Sequence, residues 1–204
     1  MRLEEARKDY YRRLAHQEGY RSRAAYKLLE AIGKYRLVKA GDCVIDLGSA
    51  PGGWTQAAEE TVGDSGAVVG VDIAPTKVHP KENVHLIRGD INDPAIAEKV
   101  RRAVGAKAPL PFDALLADLS PNISGVWDLD HYRQIELVLR ALVLADSLLR
   151  LGGNAMLKVF EGERFSEVKR EADSRFRVVH IMKPRASRRE SSEMYLICLG
   201  RRRA

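Results

Sequence analysis

Cysteine is scarce in this sequence: Cys43 and Cys198 are the only two in 204 residues. They lie far apart in strand-like apolar segments and show no paired CxxC or HxxxH spacing, so they offer neither a disulfide framework nor a zinc site. The expectation is two reduced core thiols in a cytoplasmic protein. Long apolar runs are also missing. The longest, Leu137 to Leu149, is broken by Arg140 and Asp146, and nothing approaches the roughly 18 apolar residues that a membrane span needs. The charged start, Met1 to Arg13, has no apolar stretch of the kind a secretory signal carries. No internal repeat or low-complexity segment occurs. With 45% hydrophobic and 30% charged residues, disordered, collagen-like and coiled-coil classes fit poorly. The length favours one domain with a real core, residues 1–204.

Positive charge is present, and unevenly placed. The net charge is +6, but residues 1–40 hold 11 Lys/Arg against 5 Asp/Glu and residues 183–204 hold 7 against 2, which leaves the centre at −5. Two basic ends around a mildly acidic middle fit a polyanion held by the ends. Arg-rich helices are equally well read as solvated faces, so charge alone does not decide.

The pattern of elements alternates. Two basic helices are expected near 3–17 and 21–34, followed by a strand at Cys43–Leu47, a glycine-rich turn and a helix over Trp54–Glu60. Strands at Ala67–Asp72 and Val84–Ile87, a helix after Asp93-Pro94 and a strand at Phe112–Ala117 come next. A helix over Leu129–Leu149, stopped by Gly152-Gly153, leads to a strand at Asn154–Phe160 and a helix near 163–173. Two final strands, Phe176–Met182 and Met194–Leu199, have no helix between them. This order predicts a doubly wound α/β fold, with a mainly parallel seven-stranded sheet and an antiparallel strand at its edge. The basic helical extension is 1–40, the Rossmann-like core 41–200 and a basic tail 201–204. In such sheets ligands sit beyond the carboxyl ends of the strands, where Asp46, Asp72, Asp90, Asp118 and Lys158 fall.

The segment Asp46-Leu47-Gly48-Ser49-Ala50-Pro51-Gly52-Gly53-Trp54 says most about ligand chemistry. No GK[ST] follows, so it is not a P-loop. Gly48 is followed by Ser-Ala-Pro, so it is not the GxGxxG of dinucleotide sites, and a nicotinamide dehydrogenase is disfavoured. A tight turn that lets backbone approach a bulky ligand remains, with acidic side chains suited to hydroxyl, amino or cationic groups. S-adenosylmethionine has those groups and no phosphate. Asp72, 20 residues after Gly52, has the spacing of a ribose ligand, a spacing that NAD proteins share.

Seven segments then carry a resemblance across nearly the whole chain: GYRSRAAYKLLE (19–30), DLGSAPGGWTQ (46–56), GVDI (70–73), GDIND (89–93), ADLSPNISG (117–125), LKVFEG (157–162) and KPRASRRESSEMYLI (183–197). In content and order the sequence resembles the FtsJ/RrmJ-type ribose 2′-O-methyltransferases, the RlmE group. Where that family commonly has Ala or Met, this chain has Ser49, Leu119 and Ser120, and none of these changes removes a charge. The resemblance implies the Rossmann-like fold of S-adenosylmethionine-dependent methyltransferases. It also implies a catalytic tetrad at Lys27, Asp118, Lys158 and Glu193. For the cofactor it implies Gly52 and Trp54 at the turn, Asp72 at the ribose, Asp90 near the adenine and Asp118 near the methionine end.

A ribose 2′-hydroxyl is a poor nucleophile, so the reaction needs positioning and a proton acceptor. Lys158 is assigned as general base, on the condition that positive neighbours and desolvation disfavour its ammonium form while Asp118 and Glu193 pull the other way. Asp118 orients it, and Lys27 and Glu193 position substrate. No metal is needed, because the sulfonium already activates the methyl group. Arg12, Arg13, Arg21 and Arg23, interleaved with Tyr10, Tyr11 and Tyr20, are candidate RNA contacts, as are Arg185, Arg188 and Arg189 ahead of Glu193. The expected substrate is a uridine of 23S-type ribosomal RNA in a large-subunit particle. Two alternatives stay open: a tRNA as substrate for the same chemistry, or a catalytically silent RNA-binding assembly factor.

Overall fold

Central strands of a sheet covered on both faces need apolar residues at every position, and three segments of the chain supply them. Strands β1 (Cys43–Leu47), β2 (Ala67–Asp72) and β4 (Phe112–Ala117) are buried almost throughout. The computed structural model describes residues 3–76, 81–104, 110–187 and 191–203. The other strands are β3 (Val84–Arg88), β5 (Leu149–Phe160), β6 (Phe176–Met182) and β7 (Glu193–Arg201), and the seven form one sheet in the order β3-β2-β1-β4-β5-β7-β6. All pairings are parallel except those of β7, which runs antiparallel to both of its neighbours. The antiparallel pairing falls at the expected edge, with β7 slotted one place inside the outermost strand.

The period of two along each strand divides the core into two layers. Ile45, Val69, Leu115, Leu157 and Leu196 face one layer, built with α4 (Ile96–Val104), α5 (Trp127–Leu148) and α6 (Phe165–Arg175). Val44, Val68, Leu116, Met156 and Ile197 face the other, packed by α2 (Ala25–Tyr35) and α3 (Gly53–Val62). Helix α1 (Leu3–Gln17) precedes α2.

Two of the boundaries that differ from the sequence reading have a visible structural reason. Helix α2 starts at Ala25, four residues later than expected, because Gln56 of α3 captures the preceding turn. Its side-chain oxygen accepts from the Arg21 amide (2.8 Å) and its amide nitrogen donates to the Gly19 carbonyl (3.1 Å). Gly152-Gly153 is not a helix stop: α5 already ends at Leu148 and passes directly into β5. The two glycines lie where the β4–β5 register shifts, and a Cβ on Gly153 would meet the Asp113 carbonyl oxygen at 2.9 Å.

Candidate active site

Order reversal between β1 and β4 opens a crevice at the carboxyl ends of the parallel strands. A cleft of about 410 Å³ lies there, lined by the loops that follow β1, β2, β3 and β4. Asp72, Asp90 and Asp118 all line it, with Asn92, Ser120 and Asn122, and its described lining contains no Lys, Arg or His. A lining of this kind offers carboxylate acceptors to hydroxyl, amino and cationic groups and no cation to a phosphate. Asp72 also shapes the cleft: its two carboxylate oxygens accept from the backbone amides of Ala50 (2.8 Å) and Ala74 (2.7 Å), tying the turn after β1 to the turn after β2. Asp90 accepts from the Asn92 amide in the same way (2.9 Å).

Four residues associated with this crevice by sequence, Asp46, Gly52, Trp54 and Lys158, stand outside its lining. Asp46 is wholly buried in β1, where Thr55 donates to one carboxylate oxygen (2.7 Å) and the other has no partner among the described residues. Burial, with Asp118 and Asp72 nearby and against the Thr55 bond, pushes its pKa up to about 7. Gly52, at φ 110°, opens α3, and a Cβ there would meet the Arg21 guanidinium at 2.7 Å; one on Gly53 would meet Ser22 Oγ at 2.2 Å. The glycine pair is thus the seat on which the N-terminal segment rests. Trp54 packs in the α2–α3 core layer, and its Nε1 donates to the Ala24 carbonyl (2.8 Å).

All four tetrad residues converge at one end of the cleft. Lys158, on β5, is 6% exposed, and its Nζ lies 3.1 Å from the Asp118 carbonyl oxygen and 3.2 Å from Asp118 Oδ1. Lys27, on α2, is 7% exposed and pairs with Glu193 at the start of β7. Burial raises the Glu193 pKa, but the charge and hydrogen bond of Lys27, the charge of Lys158 and the bond from Ser187 together outweigh it and hold the carboxyl below its usual range. Tyr195 joins the two pairs: its hydroxyl donates to Asp118 Oδ1 (3.1 Å) and accepts from Lys27 Nζ (3.1 Å). Burial, then the charges of Asp118 and Glu193, raise the phenol pKa well above 10, so the hydroxyl remains a donor. Ser187 adds a bond to Glu193 (2.9 Å). The sequence reading passed over Tyr195, although it lies two residues after Glu193 in a strand and so shares its face.

The basic residues divide. Arg12, Arg21 and Arg23 line a second pocket of about 470 Å³ with His16 and Tyr20, between α1 and the turn before α2. Arg13 is exposed and not part of that pocket. Arg185 is exposed, with its backbone amide held by Glu30 of α2 (2.8 Å). Arg188 and Arg189 lie outside the described residues.

The sheet order, the crevice and its acidic lining define a Rossmann-like methyltransferase. Two solved structures have this fold. A ribosomal RNA methyltransferase from Plasmodium falciparum is 27% identical with a TM-score of 0.77, covering 89% of this chain and 98% of that one. Fibrillarin from Aeropyrum pernix, solved with S-adenosylmethionine bound, is 22% identical with a TM-score of 0.61 over 88% of this chain and 75% of its own, a likeness of fold. The chain belongs to the FtsJ-like methyltransferase family, whose sequence pattern matches residues 20–201. A relative from Nitrosopumilus maritimus, named ribosomal RNA large subunit methyltransferase E, is 43% identical over 200 residues, 98% of either chain. No described helix is long and apolar enough to cross a membrane.

Proposed function

We propose that this methyltransferase uses S-adenosylmethionine to methylate a ribose 2′-hydroxyl of RNA, and that the RNA is large-subunit ribosomal RNA in a cytoplasmic particle. The observation that carries the reading is the double membership of Asp118, which lines the cleft and also pairs with Lys158. One residue thereby joins a site for a cationic, phosphate-free cofactor to a cluster able to move a proton. The names of the relatives support the ribosomal substrate.

Asp72 and Asp90 would hold the cofactor's ribose and adenine side and Asp118 its methionine end, with Gly52 and Trp54 acting through the turn that opens α3. Bound there, the cofactor supplies an activated methyl group on a sulfonium whose sulfur leaves as a neutral thioether. Lys158, once its ammonium has given up a proton, accepts the 2′-hydroxyl proton at Nζ, and Asp118 fixes where Nζ points through its carbonyl and its carboxylate. Lys27 and Glu193 position the ribose as one ion pair. Tyr195 sets the separation of the two pairs. No step requires a metal. The arginine pocket on the N-terminal segment, with Arg13 and Arg185, Arg188 and Arg189, takes RNA phosphates. Because Lys27 comes from the extension 1–40, extension and core work as one domain of 1–204.

The test is methylation of an in vitro transcript of large-subunit ribosomal RNA, followed by digestion and mass spectrometry of the nucleosides. One 2′-O-methylated nucleoside is expected. Methyl groups found on a base, or found only on tRNA offered in parallel, overturn the reading.

A further inference from the structure

Beyond Asp118 the chain carries several large apolar side chains into solvent: Ile123 is 65% exposed, Val126 59%, Trp127 49% and Tyr132 54%. Trp127, the first residue of α5, differs from the others because its ring is stacked and still half open. His131 lies nearly parallel to it at 17° with centroids 5.8 Å apart, and Phe160 at 20° and 6.1 Å. The Arg164 guanidinium sits 4.7 Å from the centre of the Tyr132 ring, so that ring is partnered by a cation, whereas the indole is partnered by rings and still 49% exposed.

The position of the indole is fixed from both sides. The Asp130 carboxylate accepts from the backbone amides of Ser124 (2.8 Å) and Gly125 (3.1 Å) and from Ser124 Oγ (2.8 Å), which pins the loop running from Asp118 to Trp127. Those backbone donors, foremost Ser124, hold the Asp130 carboxyl below its ordinary range. Gln134, on the same helix, donates to the Lys158 carbonyl (2.8 Å) and accepts from the Phe160 amide (3.0 Å). The end of β5 that bears the proposed base is therefore clamped to the helix that bears the indole. Phe160, which backs Trp127, lies two residues past Lys158 and pairs in register with Glu193.

The geometry points to Trp127 as a stacking platform for an unpaired nucleobase of the RNA substrate, at or beside the nucleotide whose ribose is methylated. This rests on the RNA reading above. A rigid aromatic face offers contact area at little entropic cost, and every base has a π-face that can use it. The cation that acts on His131, Arg164, is itself paired with Glu136 and Glu167, and Asp128, Glu161 and Glu163 are exposed beside these rings. They repel phosphate, so the uncharged base is the part of a nucleotide that fits here, with the phosphates left to the basic ends.

The experiment compares full-length wild type, Trp127→Ala and Trp127→Phe on the ribosomal RNA transcript, with cofactor affinity and melting measured in parallel. Trp127→Ala is expected to raise the RNA KM about 5- to 100-fold, with kcat changed a few-fold at most and cofactor affinity unchanged. Trp127→Phe, which keeps a ring in the stack, should recover most of the loss and separates lost stacking from a folding defect. As a second readout, oligouridylate of about 12 nucleotides should quench wild-type tryptophan fluorescence saturably. The quench should vanish in Trp127→Ala, whose remaining Trp54 is buried. Equal RNA KM in all three proteins overturns the platform, and assigns the patch to a protein contact or to none. A wild type that binds cofactor and methylates no RNA overturns the RNA reading instead, so the two failures are distinguishable.

Discussion

The cleft and the tetrad meet at Asp118 but are built by opposite means. The cleft is mostly turns: its carboxylates hold backbone amides, as Asp72 holds Ala50 and Ala74, and its described lining carries no cation. The tetrad is side chains from α2, the end of β4, β5 and β7, with two buried lysines each matched to a carboxylate. Backbone shape suits binding, because main-chain amides hold the acceptors in place without a charged side-chain partner. Paired buried charges suit the proposed proton transfer, and such a pair tolerates poorly the loss of one partner. The two halves should therefore fail differently.

Lys158→Ala gives the largest expected effect and tests that division most directly. Turnover should fall roughly 100- to 10,000-fold while cofactor affinity stays nearly unchanged, since a general base acts in the transition state. Asp118→Ala, at the junction, should lower both. Steady-state rates with calorimetric cofactor titration check the pair, and Lys158→Ala turnover within a few-fold of wild type would move proton acceptance elsewhere. Asp72→Ala is the converse. It removes the proposed ribose contact and two backbone tethers, each hydrogen bond worth about 0.5 to 1.5 kcal/mol, so cofactor affinity should drop about tenfold or more. A calorimetric Kd equal to wild type would detach Asp72 from the cofactor.

Asp46 sharpens the comparison on the side of stability. Its native carboxyl holds a proton up to about pH 7, against 3.8 ordinarily, so between those values the native state binds more protons than the unfolded one. Its contribution to stability falls as pH rises through that window and is level above it, with a slope of up to about 1.4 kcal/mol per pH unit. Asp46→Asn should flatten the urea-unfolding stability profile between about pH 4 and 7. A profile parallel to wild type would mean that the native carboxyl is ionised there. The smallest effect concerns the N-terminal arginines. Removing Arg12, Arg21 and Arg23 together should reduce the salt dependence of RNA binding by a log-log slope of about 0.7 per contact. Cofactor affinity should hardly move. Removing the outlying Arg13 alone should do less. Filter binding at several salt concentrations measures both, and equal slopes would leave the pocket as a solvated face.

The sequence by itself determined the strands, their alternation with helices and which residues are proposed for the site. Continuous apolar runs such as Cys43–Leu47 and Phe112–Ala117 are local signals, and the family motifs are contiguous. Its misreadings arose where a distant group decides a local outcome. Gln56 delays the start of α2, and a register shift rather than a helix end uses Gly152-Gly153. The polyanion reading of the basic ends gained a pocket for Arg12, Arg21 and Arg23 that charge counting does not reveal. Only the tertiary structure decided that Lys27 meets Glu193 across 166 positions of sequence and that Tyr195 stands between their pair and that of Lys158 and Asp118. The physical reason is the insertion of β7 beside β5: it puts Tyr195 in register with Lys158 and faces both toward α2, a pairing that no periodicity within either strand encodes.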